Sequence, residues 1–139
     1  GYPLDQNIYQ AVKGMTAVEA AVKPGGVIIM LAKSGDGHGG AAFFKPFRDE
    51  KNLERLLDGF VNTPRNETIP DQWEAQILAR ILLKAKVIYI SSAPDEMIET
   101  FQMTPAKDVN EALEMARAYL NNEAAAVTVI PYGMAVIVE

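Results

Sequence analysis

Val27-Ile28-Ile29-Met30-Leu31-Ala32 is the longest uninterrupted apolar run in the chain, and it constrains the fold more than any other segment. Its β-branched residues favour a strand, and the absence of apolar/polar alternation leaves no face for water. A strand buried on both faces belongs in a parallel sheet with helices above and below it. Val87-Ile88-Tyr89-Ile90 has the same character. Helical patterns lie between and after these runs, so the expected fold is α/β: a three-layer sandwich, mainly parallel sheet with helices on both faces, Rossmann-like.

The helices are read from apolar spacing. Ile8, Ala11, Val12 and Met15 recur at three and four residues, with Asp5 as expected N-cap and Gly14 as expected stop. Thr16-Ala17-Val18-Glu19 then reads as a capping box opening a second short helix to about Val22. Pro24-Gly25-Gly26 breaks it before the first strand. Phe43 to Phe47 is aromatic but interrupted by Pro46. Asn52 to Val61 carries Leu53, Leu56, Leu57 and Phe60 at helical spacing, and Pro70 suits the first position of a helix from Asp71 to about Leu83 bearing Trp73, Ile77, Ile81 and Leu82. Ala93 to Glu99 reads as a helical turn and Phe101 to Thr104 as a short strand. Asp108 to Leu120 is expected to be helical with Val109, Leu113, Ala116 and Leu120 inward. Ala125 to Ile130 and Met134 to Val138 read as strands on either side of the break Pro131-Tyr132-Gly133.

With 139 residues the chain is long enough for one domain with a substantial core. Its 13 Lys+Arg against 18 Asp+Glu give a net charge of -5, which argues against sequence-independent binding to nucleic acid. Without cysteine it has no disulfide, thiolate metal site or Cys nucleophile. No run approaches the roughly 20 apolar residues of a membrane span. The chain begins at Gly1 without a signal-peptide pattern, and it is expected to be a piece of a longer protein.

Two segments invite a chemical reading. Ser34-Gly35-Asp36-Gly37-His38-Gly39-Gly40 has four glycines in seven positions at the carboxyl end of the first strand, where α/β sheets bind ligands. It lacks the Gly-Lys-Ser/Thr ending of a P-loop and the spacing of the dinucleotide fingerprint. His38 is the single histidine and cannot by itself form a clustered metal site. On the first helix, at about 100° per residue, Gln6, Tyr9, Gln10 and Lys13 fall opposite the apolar side. Tyr9, Gln10 and Lys13 are near enough to meet one small anion, although from spacing alone a solvated face, with Lys13 complementing the helix dipole near the end, is the more ordinary reading. Trp73 reads from its position as a core or half-buried packing residue, and the adjacent pairs Asp49/Glu50 and Asp95/Glu96 point apart, unlike acid/base machinery.

The run Gly1-Tyr2-Pro3-Leu4-Asp5-Gln6-Asn7-Ile8-Tyr9-Gln10-Ala11-Val12-Lys13-Gly14 closely resembles the start of the C-terminal domain of the nickel-dependent lactate racemase family. The resemblance continues through Val22 to Ile29, the Gly-rich loop, Trp73 and Ala126 to Pro131, and so covers essentially the whole chain. It implies that residues 1-139 are a single substrate-closing domain of a larger cytoplasmic isomerase, a 2-hydroxy acid racemase or epimerase. An N-terminal domain, absent from this chain, is implied to hold a nickel-pincer nucleotide on a lysine together with two catalytic histidines. The implied chemistry is removal of the C2 hydride to the cofactor and its return to the opposite face. By the same resemblance Lys13 is the catalytic cation, Tyr9, Gln10 and Trp73 contact the substrate, and no cofactor or metal ligand lies in this chain. The implied partners are a small 2-hydroxy acid and the protein's own N-terminal domain, with neither nucleic acid nor membrane, and the fragment alone is expected to be inactive. The alternative reading is a nucleotide- or phosphate-binding Rossmann-like module that uses backbone N-H groups of Ser34 to Gly40.

Overall fold

The computed structural model describes residues 1–133. Three parallel strands, β1 (Gly26–Leu31), β2 (Ala85–Ile90) and β3 (Thr104–Ala106), form a sheet in the order β1-β2-β3. Six helices accompany them: α1 (Ile8–Ala21), α2 (Ala41–Asp49), α3 (Leu53–Asn62), α4 (Gln72–Lys84), α5 (Asp95–Thr100) and α6 (Val109–Leu120). The fold is the expected α/β sandwich, and the strand residues show why. Ile28, Val87 and Tyr89 turn one face of the sheet into a core with Ile8, Val12 and Met15 of α1 and Ala75, Leu78 and Ile81 of α4. Ile88 turns the other way, with Val27, Ile29 and Ile90, onto Ala112 and Ala116 of α6. Both faces of β1 and β2 are thus covered, which is what their unbroken apolar runs require.

Several expectations change in detail. Residues 8 to 21 form one helix rather than two, and Asn7, not Asp5, caps it by accepting the Gln10 N-H at 2.9 Å. Gly14 does not stop it, because the position is buried beneath Met30, whose methyl would lie 3.2 Å from an added Cβ. Thr16 and Glu19 therefore make no capping box. The Thr16 hydroxyl donates to the Lys13 carbonyl at 2.6 Å, and Glu19 accepts two 2.7 Å hydrogen bonds from Arg80 of α4. Pro46 lies inside α2 rather than ending it, in a helix held by Phe43 and Phe47 against Phe101. Pro70 precedes the cap of α4, which is Asp71.

The third strand runs from Thr104 to Ala106, beyond the expected Phe101 to Thr104, because Phe101 closes α5 and is fully buried. On α6 the small residues Ala112 and Ala116 face the sheet, while Val109 and Leu120 at the ends are exposed. Ala125 to Ile130 is not a strand: no ladder partner lies beside it among the described residues, and Val127 and Val129 stand in solvent. β-forming side chains cannot hold a strand without a neighbouring edge. The expected strand Met134 to Val138 lies outside the described residues. No helix among the described residues is long and apolar enough to cross a membrane.

Candidate functional site

The loop that leaves the carboxyl end of β1 is fastened to the start of α1. Ser34 and Asp36 donate backbone N-H bonds to the carbonyls of Asp5 and Gln6, and Gly37 accepts the N-H of Ile8 at 3.0 Å, satisfying one free donor of the helix N-terminus. Below them the buried Ser34 and Tyr89 hydroxyls share a 2.7 Å hydrogen bond. Tyr89→Phe leaves the Ser34 hydroxyl buried and unpaired, and is expected to cost about 1–2 kcal/mol in urea unfolding of the chain. A variant as stable as the wild type would show that this bond does not hold the loop.

Gly39 has φ +90°, and a Cβ there would sit 2.5 Å from Tyr9 Cβ and 2.9 Å from Asn7 Oδ1. The glycine lets the loop backbone lie directly against the Tyr9 side chain and the helix cap. His38 stacks on Phe44 at 4.7 Å, and its Nδ1 accepts the Gly40 N-H. The N-H groups of Ser34, Asp36, Gly37 and Gly40 are therefore all used within the chain. Those four are not available to cradle a phosphate, which leaves the alternative reading without most of the loop's donors.

Tyr9, Gln10 and Lys13 lie together on the outer side of α1, as their spacing suggests. Gln6 precedes the helix and is not part of this turn. The Lys13 ammonium donates to Gln10 Oε1 at 2.9 Å and lies 5.1 Å from the centre of the Tyr9 ring. Trp73 comes from the first turn of α4 and meets Tyr9 edge to face, with centroids 6.1 Å apart. The residue is 52% exposed, so it packs half-buried on Tyr9 and leaves its other side as a wall of the surface. One contiguous face thus carries all four residues singled out from the sequence.

Two further carboxyls belong to this neighbourhood. Asp71 caps α4 with φ +61° and makes no side-chain cap bond; its charge acts on the Tyr9 phenol, which burial, Asp71 and Glu74 together push above its usual pKa. Glu74 is fully buried, and neither carboxylate oxygen has a hydrogen-bond partner among the described residues. Burial, with a smaller contribution from Asp71, raises its pKa to about 7 against the opposing pull of Lys13. Glu74 was not among the residues singled out, because a Glu in a first helical turn ordinarily complements the helix dipole. The available signal was its place one helical repeat before Leu78, on the apolar side.

A cavity of about 520 Å³ lies elsewhere. Apolar side chains of β1 and α6 and the segment Ala125 to Gly133 line most of it, and it reaches the polar face only at Gln10. Its wall extends to the last described residue, and the chemistry of the four-residue face, rather than this volume, marks the candidate site.

The family model for the lactate racemase C-terminal domain matches residues 1–138. The chain belongs to that family. Among curated relatives, the lactate racemase of Thermoanaerobacterium thermosaccharolyticum is 52% identical over 99% of this chain, and that of Lactiplantibacillus plantarum 54% identical over 100%. The chain spans only 32% and 33% of those two proteins. The solved lactate racemase apoprotein from T. thermosaccharolyticum superposes with a TM-score of 0.96, at 52% identity, over 100% of this chain and 33% of that one. The chain therefore shares its fold with part of an experimentally determined relative about three times its length.

The nickel-pincer nucleotide is a separate question. No group of three or more His, Cys, Asp and Glu side chains that could hold a metal ion exists among the described residues. The single histidine is occupied by Phe44 and Gly40. The donor set of these residues does not fit such a cofactor.

Proposed function

We propose that this chain is the C-terminal, substrate-closing domain of a cytoplasmic 2-hydroxy acid racemase or epimerase of the lactate type, and that Lys13, Gln10, Tyr9 and Trp73 form its share of the substrate site. The observation that carries this reading is the meeting of a lysine, an amide, a phenol and an indole from two helices on one face, in a chain of this family.

The chemistry of the face suits a small hydroxy acid. Its carboxylate is an anion, and Lys13 offers a compact charge held in place by Gln10. Since Gln10 Oε1 is taken by Lys13, the amide presents its N-H2 outward as a donor. Tyr9, with its pKa raised, stays protonated at neutral pH and can donate a hydrogen bond. Trp73 supplies an apolar wall that, once the site closes, excludes water and so strengthens every charge interaction inside. These donors also face the position where negative charge would develop on a substrate oxygen. The reaction proposed is inversion at C2 by departure and return of a hydride, with the hydride acceptor and the base outside this chain; the isolated chain would then bind weakly and catalyse nothing.

Incubating the full-length protein with a single enantiomer of lactate tests the reading. The expected result is drift to a mixture of both enantiomers, followed by chiral chromatography, and none with residues 1–139 alone. A full-length, correctly assembled protein that leaves lactate and other small 2-hydroxy acids unchanged would remove the proposal.

A further inference from the structure

We propose that Glu74 is a positioning residue that competes with the substrate's carboxylate for the charge of Lys13, so that the face takes up a hydroxy-acid anion together with one proton at Glu74. The inference rests on the proposed function and deepens it.

Glu74 directly follows Trp73, but its side chain turns inward, on the side of α4 that packs against α1. A structural buried carboxylate is normally neutralised by a cation or by several N-H donors, because an uncompensated charge is costly to desolvate. Glu74 has neither among the described residues. The groups that bear on it are Lys13 and Tyr9 of α1 and Asp71 at the head of its own helix; α2, α3 and β2, which also pack against α4, bring no charge to it among the described residues. Lys13 is thus the only cation acting on Glu74 there, and its ammonium is directed to Gln10 at the surface. The group is poised to be charged or neutral according to what else Lys13 must serve.

An arriving hydroxy acid adds a negative charge beside Lys13, where Asp71 and Glu74 already lie. Of the two protein carboxyls, Glu74 is the more deeply buried and holds its charge less well. Binding of the anion therefore favours the neutral carboxyl and draws in a proton. Because affinity falls with the fraction of protein in the competent state, a carboxyl titrating near 7 gives a KM that rises about tenfold between pH 6 and pH 8.

The test uses the full-length protein with lactate as the probe. Glu74→Gln keeps the shape, and since the carboxylate has no hydrogen-bond partner to lose, the variant is expected to fold; its melting temperature is checked alongside. The wild type should show the roughly tenfold rise in KM, whereas Glu74→Gln should keep the low-pH KM at pH 8. Calorimetric titration with lactate at pH 7, in two buffers of different ionisation enthalpy, should register uptake of about half a proton in the wild type and none in the variant. Superimposable KM profiles and equal proton uptake in an active enzyme would overturn the role of Glu74 and leave the proposed function standing. Absence of racemisation in the wild type would instead remove the proposed function.

Discussion

Replacing Lys13 with Ala in the full-length protein is expected to lower kcat/KM for lactate by about 100- to 1,000-fold, the usual cost of deleting one preorganised group that stabilises developing negative charge. The substitution removes the only ammonium that the described residues place on the Tyr9, Gln10 and Trp73 face and leaves Gln10 Oε1, to which it donates at 2.9 Å, without that donor. Folding should be little affected. Lys13 is half-buried at the surface, and its backbone carbonyl still accepts the Thr16 hydroxyl. Steady-state kinetics in both directions, with circular dichroism as a folding control, separate the two effects. Activity within a few-fold of the wild type would take Lys13 out of the reaction.

Gly39→Ala should produce the second large effect, and by a different route. At φ +90° any side chain is strained, and the new methyl would lie 2.5 Å from Tyr9 Cβ, so either the loop or Tyr9 must move. Backbone strain and overpacking together are expected to cost about 2–4 kcal/mol in urea unfolding of the chain. The displaced Tyr9 should also disturb Trp73, its edge-to-face neighbour and the only tryptophan, so indole fluorescence reports the shift directly. Gly35→Ala is the control: its Cβ would meet nothing closer than 3.7 Å, and its φ lies outside the left-handed region. Equal stability of the two variants would show that the loop is not pressed against Tyr9.

The pairing of these glycines shows how far the sequence could be read. Unbroken apolar runs define β1 and β2, because double-sided burial leaves no other pattern, and helical spacing locates Tyr9, Gln10 and Lys13 on one face. Trp73 joined them only through family resemblance. Its contact with Tyr9 depends on how α4 crosses α1, a property no local period contains. The same limit explains Gly14 and Glu19. A glycine and a capping motif are local stop and start signals, but Met30 above Gly14 and Arg80 opposite Glu19 come from distant segments and override them. Ala125 to Ile130 differs in the opposite sense: local preference for a strand is present, and no neighbouring edge pairs with it among the described residues. For Glu74 the sequence offers only its place on the apolar side of α4; that its carboxylate has no partner among the described residues is visible only in three dimensions.

The two-pronged bond between Arg80 and Glu19 joins α1 to α4, the two helices that supply the four-residue face, at the far ends from Tyr9 and Trp73. As an exposed pair it adds little stability. Yet with the apolar seam between the helices it sets their spacing when the chain folds. The backbones that carry Lys13 and Trp73 are consequently held relative to one another once the chain folds, and in the proposed site that part of the ordering would not be repeated at each binding event. In the proposed site the face would then act as a gauge, taking anions of one breadth with little freedom to adapt to others.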